Sequence, residues 1–211
     1  MEAIKFRVIE SETEIEKYIE KIESQTGVRL PPLYAHSSKI VGGFLQNKLV
    51  AGYMLVTKPS FRSLFFVPDS IKAAHSFFSN DQYEMMEVNG VWIGPAVKTP
   101  KMQFQFWMKL LTDIFMSKKK YLLLMSDARN KNIEHIHSLA NPEILYEGSP
   151  NLMASDKSHA TIRVGYTTRW RAVMNVPKYW FELKKREQRA KNFERKRNLE
   201  RALGISVEQI Q

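Results

Sequence analysis

Hydrophobic positions along the chain form short alternating or continuous runs, separated by stretches that repeat at helical spacing. Residues 4–9 alternate enough to predict a first strand. Ser11, with Glu14 three residues on, fits a capping box, and Ile15, Tyr18, Ile19 and Ile22 then mark one face of a helix that Gly27 ends. Leu30-Pro31-Pro32-Leu33 predicts a loop or short turn. Residues 39–45 and 49–57 flank the polar turn Gln46-Asn47-Lys48 and predict a hairpin. The apolar run 61–67 reads as a strand or a buried loop, and residues 71–78 read as helical.

The central stretch is 87–121. A strand over 83–93 ends at Gly94-Pro95, a loop follows, and Pro100 opens an amphipathic helix. In that helix Phe104, Trp107, Met108, Leu111, Ile114 and Phe115 form one apolar face, which reads as core. Leu122-Leu123-Leu124-Met125 is short and wholly apolar, the pattern of a central strand covered on both sides. After Asp127-Ala128-Arg129-Asn130 the pattern predicts a short helix over 132–139, stopped by Asn141-Pro142. A strand over 144–146, a polar loop over 148–158 and a final long strand or hairpin over 160–173 complete the series. The fold class predicted is α/β (α+β): one mixed sheet flanked by helices. The composition changes from Pro177, which places a boundary near Asn175 and divides a domain of residues 1–175 from a basic helical extension of residues 176–211.

Composition narrows the chemistry. The chain of 211 residues has no cysteine, which excludes disulfides, thiolate catalysis and cysteine-built zinc sites, and no metal is expected. No apolar run is long enough for a transmembrane segment, and the N-terminal residues show no secretory signal, so a cytoplasmic protein is expected. The net charge of +10 favours an acidic partner such as nucleic acid, anionic lipid, an acidic carrier protein or a phosphorylated cofactor.

That charge concentrates near the C-terminus. Tyr179-Trp180-Phe181 leads into a segment carrying Lys184, Lys185, Arg186, Arg189, Lys191, Arg195, Lys196, Arg197 and Arg201. Strong helix formers dominate it, and Gly204 is a natural stop. Its apolar stripe is narrow, so the helix is expected to protrude or to lie along a partner. One reading is a solvated helix laced with i,i+4 ion pairs. The other assigns Lys184, Lys185, Arg186, Arg189, Arg195, Lys196 and Arg197 to an acidic protein, lipid or nucleic acid.

Candidate chemistry elsewhere is sparse. The loop over 94–103 leads into a helix start, where backbone N–H groups bind anions; it reads equally as a plain connection. His135 and His137 lie two apart and face different directions on a helix, so they cannot share a metal. Asp127 and Glu147 read as strand-end carboxylates with nothing pairing them as acid and base.

The order strand, helix, hairpin, strand, glycine-bearing turn, amphipathic helix, buried strand, Asn-containing helix and strand resembles the GNAT family of N-acetyltransferases over roughly residues 4–173. Val91-Trp92-Ile93-Gly94-Pro95-Ala96-Val97 running into Pro100 stands where that family binds the pyrophosphate of acyl-CoA. The resemblance implies an acyl-CoA (or acetyl-CoA) cofactor site at Trp92, Ile93, Gly94, Lys98, Thr99, Lys101 and Gln103. The chain departs from the family pattern in having no glycine in the loop after Pro95, with Lys98 and Lys101 left to supply charge. Asn130 matches an Asn that the family commonly has after the next strand, and the resemblance adds it to the implied cofactor-binding residues. The family's general-acid Tyr falls near His137 or Ser138, with Tyr146 in the following strand, and His137 and Tyr146 are taken as the catalytic candidates. The implied activity is acyl transfer from a thioester of CoA or of an acyl-carrier protein to an amine. The alternative is an inactive module of the same fold acting through its basic helix.

Overall fold

The computed structural model describes residues 3–27, 29–149 and 161–202. The N-terminal half builds a meander from local signals. Strand β1 (Lys5–Ile9) is followed by helix α1 (Glu12–Thr26), whose first turn is capped by Ser11 Oγ accepting from the Glu14 N–H. Gly27 ends it at φ 70°, a left-handed conformation that glycine adopts without strain. The Pro-Pro segment forms a short helix, α2 (Pro32–His36), because Pro32 can occupy a first helical turn where its missing N–H is not needed. Strands β2 (Lys39–Leu45) and β3 (Lys48–Val56) form the expected hairpin, turned at Gln46 and Asn47 with positive φ.

The run 61–67 is neither strand nor loop. It forms helix α3 (Arg62–Phe65), and Phe61, Leu64, Phe66 and Val67 are buried around it. Helix α4 (Asp69–Ala74) and single 3₁₀ turns at Ser76–Ser79 and Gln82–Glu84 lead to strand β4 (Met85–Ile93). Helix α5 (Pro100–Met116) starts where Pro100 predicts, with Thr99 Oγ1 accepting from the Met102 N–H. Strand β5 (Tyr121–Asp127), helix α6 (Lys131–Ser138) and strand β6 (Glu143–Gly148) follow. The polar loop over 148–158 lies almost wholly outside the described residues. The predicted long strand over 160–173 is cut in two: β7 (Ile162–Thr168) gives way to α7 (Arg169–Met174), because Thr168 Oγ1 accepts from the Arg171 N–H and starts a helix. Helix α8 (Val176–Ala202) closes the described chain.

The strands form one seven-stranded sheet in the order β1-β2-β3-β4-β5-β7-β6. Neighbours are antiparallel except β4 and β5, which are parallel and joined by the α5 crossover. Helices cover both faces. On one, Tyr53, Leu55, Met86 and Leu122 pack against Phe106, Leu110 and Ile114 of α5, Ala172 of α7 and Tyr179 of α8. On the other, α1 and α2 cover Ile40, Met54 and Trp92, while Phe61, Leu64 and Phe77 cover Met85, Leu123 and Val164.

Helix α8 is therefore not wholly separate from the body. Tyr179 and Leu183 are buried, and Trp180 meets Phe104 of α5 edge-on at 4.7 Å. Past Glu187 the character changes: Gln188, Arg189 and residues 191–199 are all exposed.

Candidate active site

The parallel pairing of β4 and β5 is short. It runs only from Met85↔Tyr121 to Glu87↔Leu123, and beyond it the strands part. The cause lies in β4. Its pairing with β3 slips between Gly52↔Trp92 and Met54↔Asn89, which places one extra residue on β4, a β-bulge. Gly90 sits in the bulge at φ 58°, in the left-handed region. The bulge is held on three sides: Asn89 Oδ1 accepts from the Gly90 N–H at 2.7 Å, the Tyr18 hydroxyl donates to the Gly90 carbonyl, and Asn89 Nδ2 donates to Glu87 Oε1 at 2.9 Å. Glu87 is itself buried, and it also accepts from the Ser63 N–H, the Ser63 hydroxyl and the Tyr34 hydroxyl. Burial raises its pKa, and those four donors oppose the rise.

Where the strands part, an apolar cavity of about 260 Å³ opens between them under α5, α6 and α8. Val88, Val91 and Ile93 line it from β4, Leu122 and Leu124 from β5, Trp107 and Leu111 from α5, and Tyr179 from α8. Since the Gly94 N–H donates to the Val50 carbonyl of β3, the alternation of the ladder turns the polar backbone groups of Ile93 toward the cleft. A second cavity, about 250 Å³ and far more polar, opens beside α6 and is lined by Ser126, Glu134, Asn141 and Arg163. The two cavities share Leu124 and His137 in their walls.

His137 is thus the titratable side chain at the junction. It makes no side-chain hydrogen bond among the described residues, and burial pushes its pKa down to about 4, so it is neutral at pH 7. Tyr179, also in the apolar cavity, is pushed up to about 12 by burial and stays protonated. Tyr146 does not join them: it sits on β6, lines neither cavity, and its hydroxyl donates to the Ser149 carbonyl at 2.6 Å. Asn130 caps α6, accepting from the Ile133 N–H.

The loop before α5 is largely occupied by its own contacts. Pro100 has no N–H, the Met102 N–H is taken by Thr99 Oγ1, and the Gln103 N–H donates to the Thr99 carbonyl. In the first helical turn the Lys101 N–H is left without a partner among the described residues. Gln103 Nε2 donates to the Val97 carbonyl and so braces the loop. Gly94 has a packing reason, because a Cβ there would stand 2.8 Å from the Val50 carbonyl oxygen. Trp92 points to the opposite face of the sheet, into the α1 layer, where Lys21 lies over its ring. Lys98 and Lys101 are exposed beside a cavity of about 310 Å³ that also meets Thr99 and Gln105. A pyrophosphate here would meet lysine side chains and little backbone, so the residues fit that part of CoA poorly.

On α8, Lys184 and Lys191 pair with Glu187, and Arg186 pairs with Glu182. Glu182 also lies 3.2 Å from His135 Nε2, which ties α8 to α6. Lys185, Arg189, Arg195 and Arg197 have no ion pair among the described residues, whereas Lys196 has a partner. No described helix is long and apolar enough to cross a membrane.

His137 is among the candidates read from the sequence; the Asn89-Gly90 bulge, Tyr179, and the group Ser126, Glu134 and Arg163 are not. The bulge had a signal, since Asn-Gly inside a strand pattern marks a bulge or close approach. The others had none, because they converge from β5, α6, β7 and α8.

No family model matches the chain, and no curated protein matches it. Its architecture is nonetheless that of the GNAT N-acetyltransferase fold. FeeM, an N-acyl amino acid synthase from uncultured soil microbes, superposes with TM-score 0.56 at 12% identity, covering 85% of this chain and 94% of that one. A probable acetyltransferase from Staphylococcus epidermidis gives TM-score 0.53 at 9% identity, over 78% of this chain and 98% of its own. The ribosomal-protein-S18-alanine N-acetyltransferase of Escherichia coli gives 0.54 at 7% identity, over 78% and 93%.

Proposed function

We propose that the protein transfers an acyl group from an acyl thioester to an amine, within the opening between β4 and β5. The observation that carries this reading is His137, a neutral imidazole in the wall between an apolar cavity and a polar one. The acyl chain occupies the apolar side, with its carbonyl beside the Ile93 backbone. The amine comes from the polar side. Its nitrogen attacks the thioester carbon, a C–N bond forms, and the C–S bond breaks as the tetrahedral adduct collapses. The nitrogen gives up a proton to His137, and the departing sulfur takes one up to leave as a thiol. Holding both reactants across one wall supplies proximity, and the neutral imidazole supplies a proton acceptor.

The donor is a thioester of CoA or of an acyl-carrier protein. Two features favour the carrier: the α5 start offers little to a pyrophosphate, and α8 begins at the apolar cavity and continues as an exposed basic helix. An acidic carrier would find its complement in Lys185, Arg189, Arg195 and Arg197.

The test is thiol release by the full chain, supplied with octanoyl-CoA or an octanoyl-carrier protein and a panel of amines. Amine-dependent release that disappears in His137→Ala is the result expected. Absence of release with every donor and amine sinks the acyl-transfer reading. In that event the exposed basic stretch of α8 would favour the second reading, a binding or assembly module that acts on an acidic protein or nucleic acid.

A further inference from the structure

The polar cavity beside α6 has a charge arrangement that selects among acceptors. Glu134 reaches into it from α6, one helical turn before His137 and on the same side of the helix. The Ser126 hydroxyl donates to Glu134 Oε1, and Arg163 Nη1 donates to Glu134 Oε2. Arg163 has a second carboxylate, Glu147, whose Oε2 accepts from Nε at 2.8 Å. Ser138 and Asn141 are the other polar side chains in the lining, and neither carries charge.

Glu134 and Arg163 are the charged side chains of the lining, and Glu147 pairs with Arg163 from outside it, so the three linked groups carry a net charge of −1 while His137 is neutral. An entering anion would compete with both carboxylates for a guanidinium already engaged by them. An ammonium instead meets a carboxylate that still has lone pairs to offer, in a linked group whose net charge is −1. Ser126 and Arg163 also fix the Glu134 side chain, so little ordering is required when a ligand arrives.

We infer that this cavity is an ammonium site, with Glu134 receiving a primary amine that lacks a neighbouring carboxylate. The inference rests on the acyl-transfer reading for what happens next: the ammonium held by Glu134 gives one proton to solvent water, and the neutral amine so formed attacks the thioester beside His137, which takes the second proton. Glu134 is then the residue that discriminates acceptors, and simple alkylamines or diamines are preferred to free amino acids.

Amine binding to the full chain without any donor tests the site by itself. The probes are butylamine, 1,4-diaminobutane and leucine, followed through the His137 imidazole resonances in NMR titrations. Saturable binding of the two amines at least tenfold tighter than leucine is expected, with a tenfold weakening in Glu134→Gln. Because that variant also removes a partner of Arg163, a charge pair at exposed Ile144 in the same lining gives an independent measurement. Ile144→Lys is expected to weaken amine binding several-fold, and Ile144→Glu to strengthen it. Leucine binding as tightly as butylamine, or indifference to charge at position 144, overturns the inference. Failure of thiol release with intact amine binding removes the acyl-transfer reading and leaves the ammonium site standing. Transfer that prefers leucine does the reverse.

Discussion

The Tyr18 hydroxyl, on α1, donates to the carbonyl of Gly90, the bulge residue of β4 just past the end of its pairing with β5. Tyr18 is wholly buried and its ring packs against Gly52 and Gly90, so helix and bulge are fitted to each other. The contact braces the bulge from the α1 side of the sheet. Tyr18→Phe leaves a buried carbonyl without its donor and is expected to cost about 1–3 kcal/mol. Chemical denaturation measures the loss, and ligand affinity at the cleft should fall with it.

Gly90 itself tolerates no side chain well. Its φ of 58° disfavours any L-residue, and a Cβ would stand 3.0 Å from the Tyr18 hydroxyl. Gly90→Ala is expected to destabilise by roughly 1–2 kcal/mol. Asn at this position, which enters the left-handed region more readily, should lose less, and the order Gly, Asn, Ala in unfolding midpoint is the check.

His137 gives a pH signature. Its folded pKa is about 4 against an ordinary 6.5, so between those values the unfolded chain holds a proton that the folded chain does not. Stability contributed at this site therefore falls as pH drops from 6.5 toward 4, by at most about 3 kcal/mol. His137→Leu should flatten that part of the stability curve. In kinetics, His137→Ala is expected to lower kcat by about 10²–10⁴ with a smaller change in KM for the amine.

The basic helix can be separated from the core, but not at its start. Deleting from Pro177 removes buried Tyr179 and Leu183 and breaches the main cluster, with Leu183 alone worth about 2–5 kcal/mol. A chain ended after Arg189 keeps them and should match the full chain to within about 0.5 kcal/mol. If the exposed stretch docks an acidic carrier, this shorter chain loses activity with the carrier-bound donor and keeps it with a small thioester. Equal activity on both donors would remove the helix from the reaction.

Much of the architecture could be read from local pattern. Ser11 and Gly27 bound α1, Thr99 and Pro100 start α5, and the Gln46-Asn47 turn sets the hairpin, because caps and turns act within a few residues of the positions that encode them. Two misreadings share one origin. The runs 61–67 and 160–173 carry apolar residues of strand type, yet α3 and α7 form there because Glu87 captures the Ser63 N–H and Thr168 caps the Arg171 N–H. Burial in each case is satisfied by a helix as well as by a strand.

From the sequence alone came the strand-to-helix unit at the centre of the chain, the basic C-terminal segment and His137 as a proton-handling candidate. Tertiary structure decided the rest. It closed the α5 start with its own side chain and backbone, sent Trp92 to the far face, and engaged the Tyr146 hydroxyl with a carbonyl. It also opened β4 from β5 past Glu87 and placed His137 between two cavities. Periodicity and capping are local, so the chain encodes them openly. A cavity wall is made where β4, β5, α5, α6 and α8 meet, and only the packed molecule shows which side chains share it.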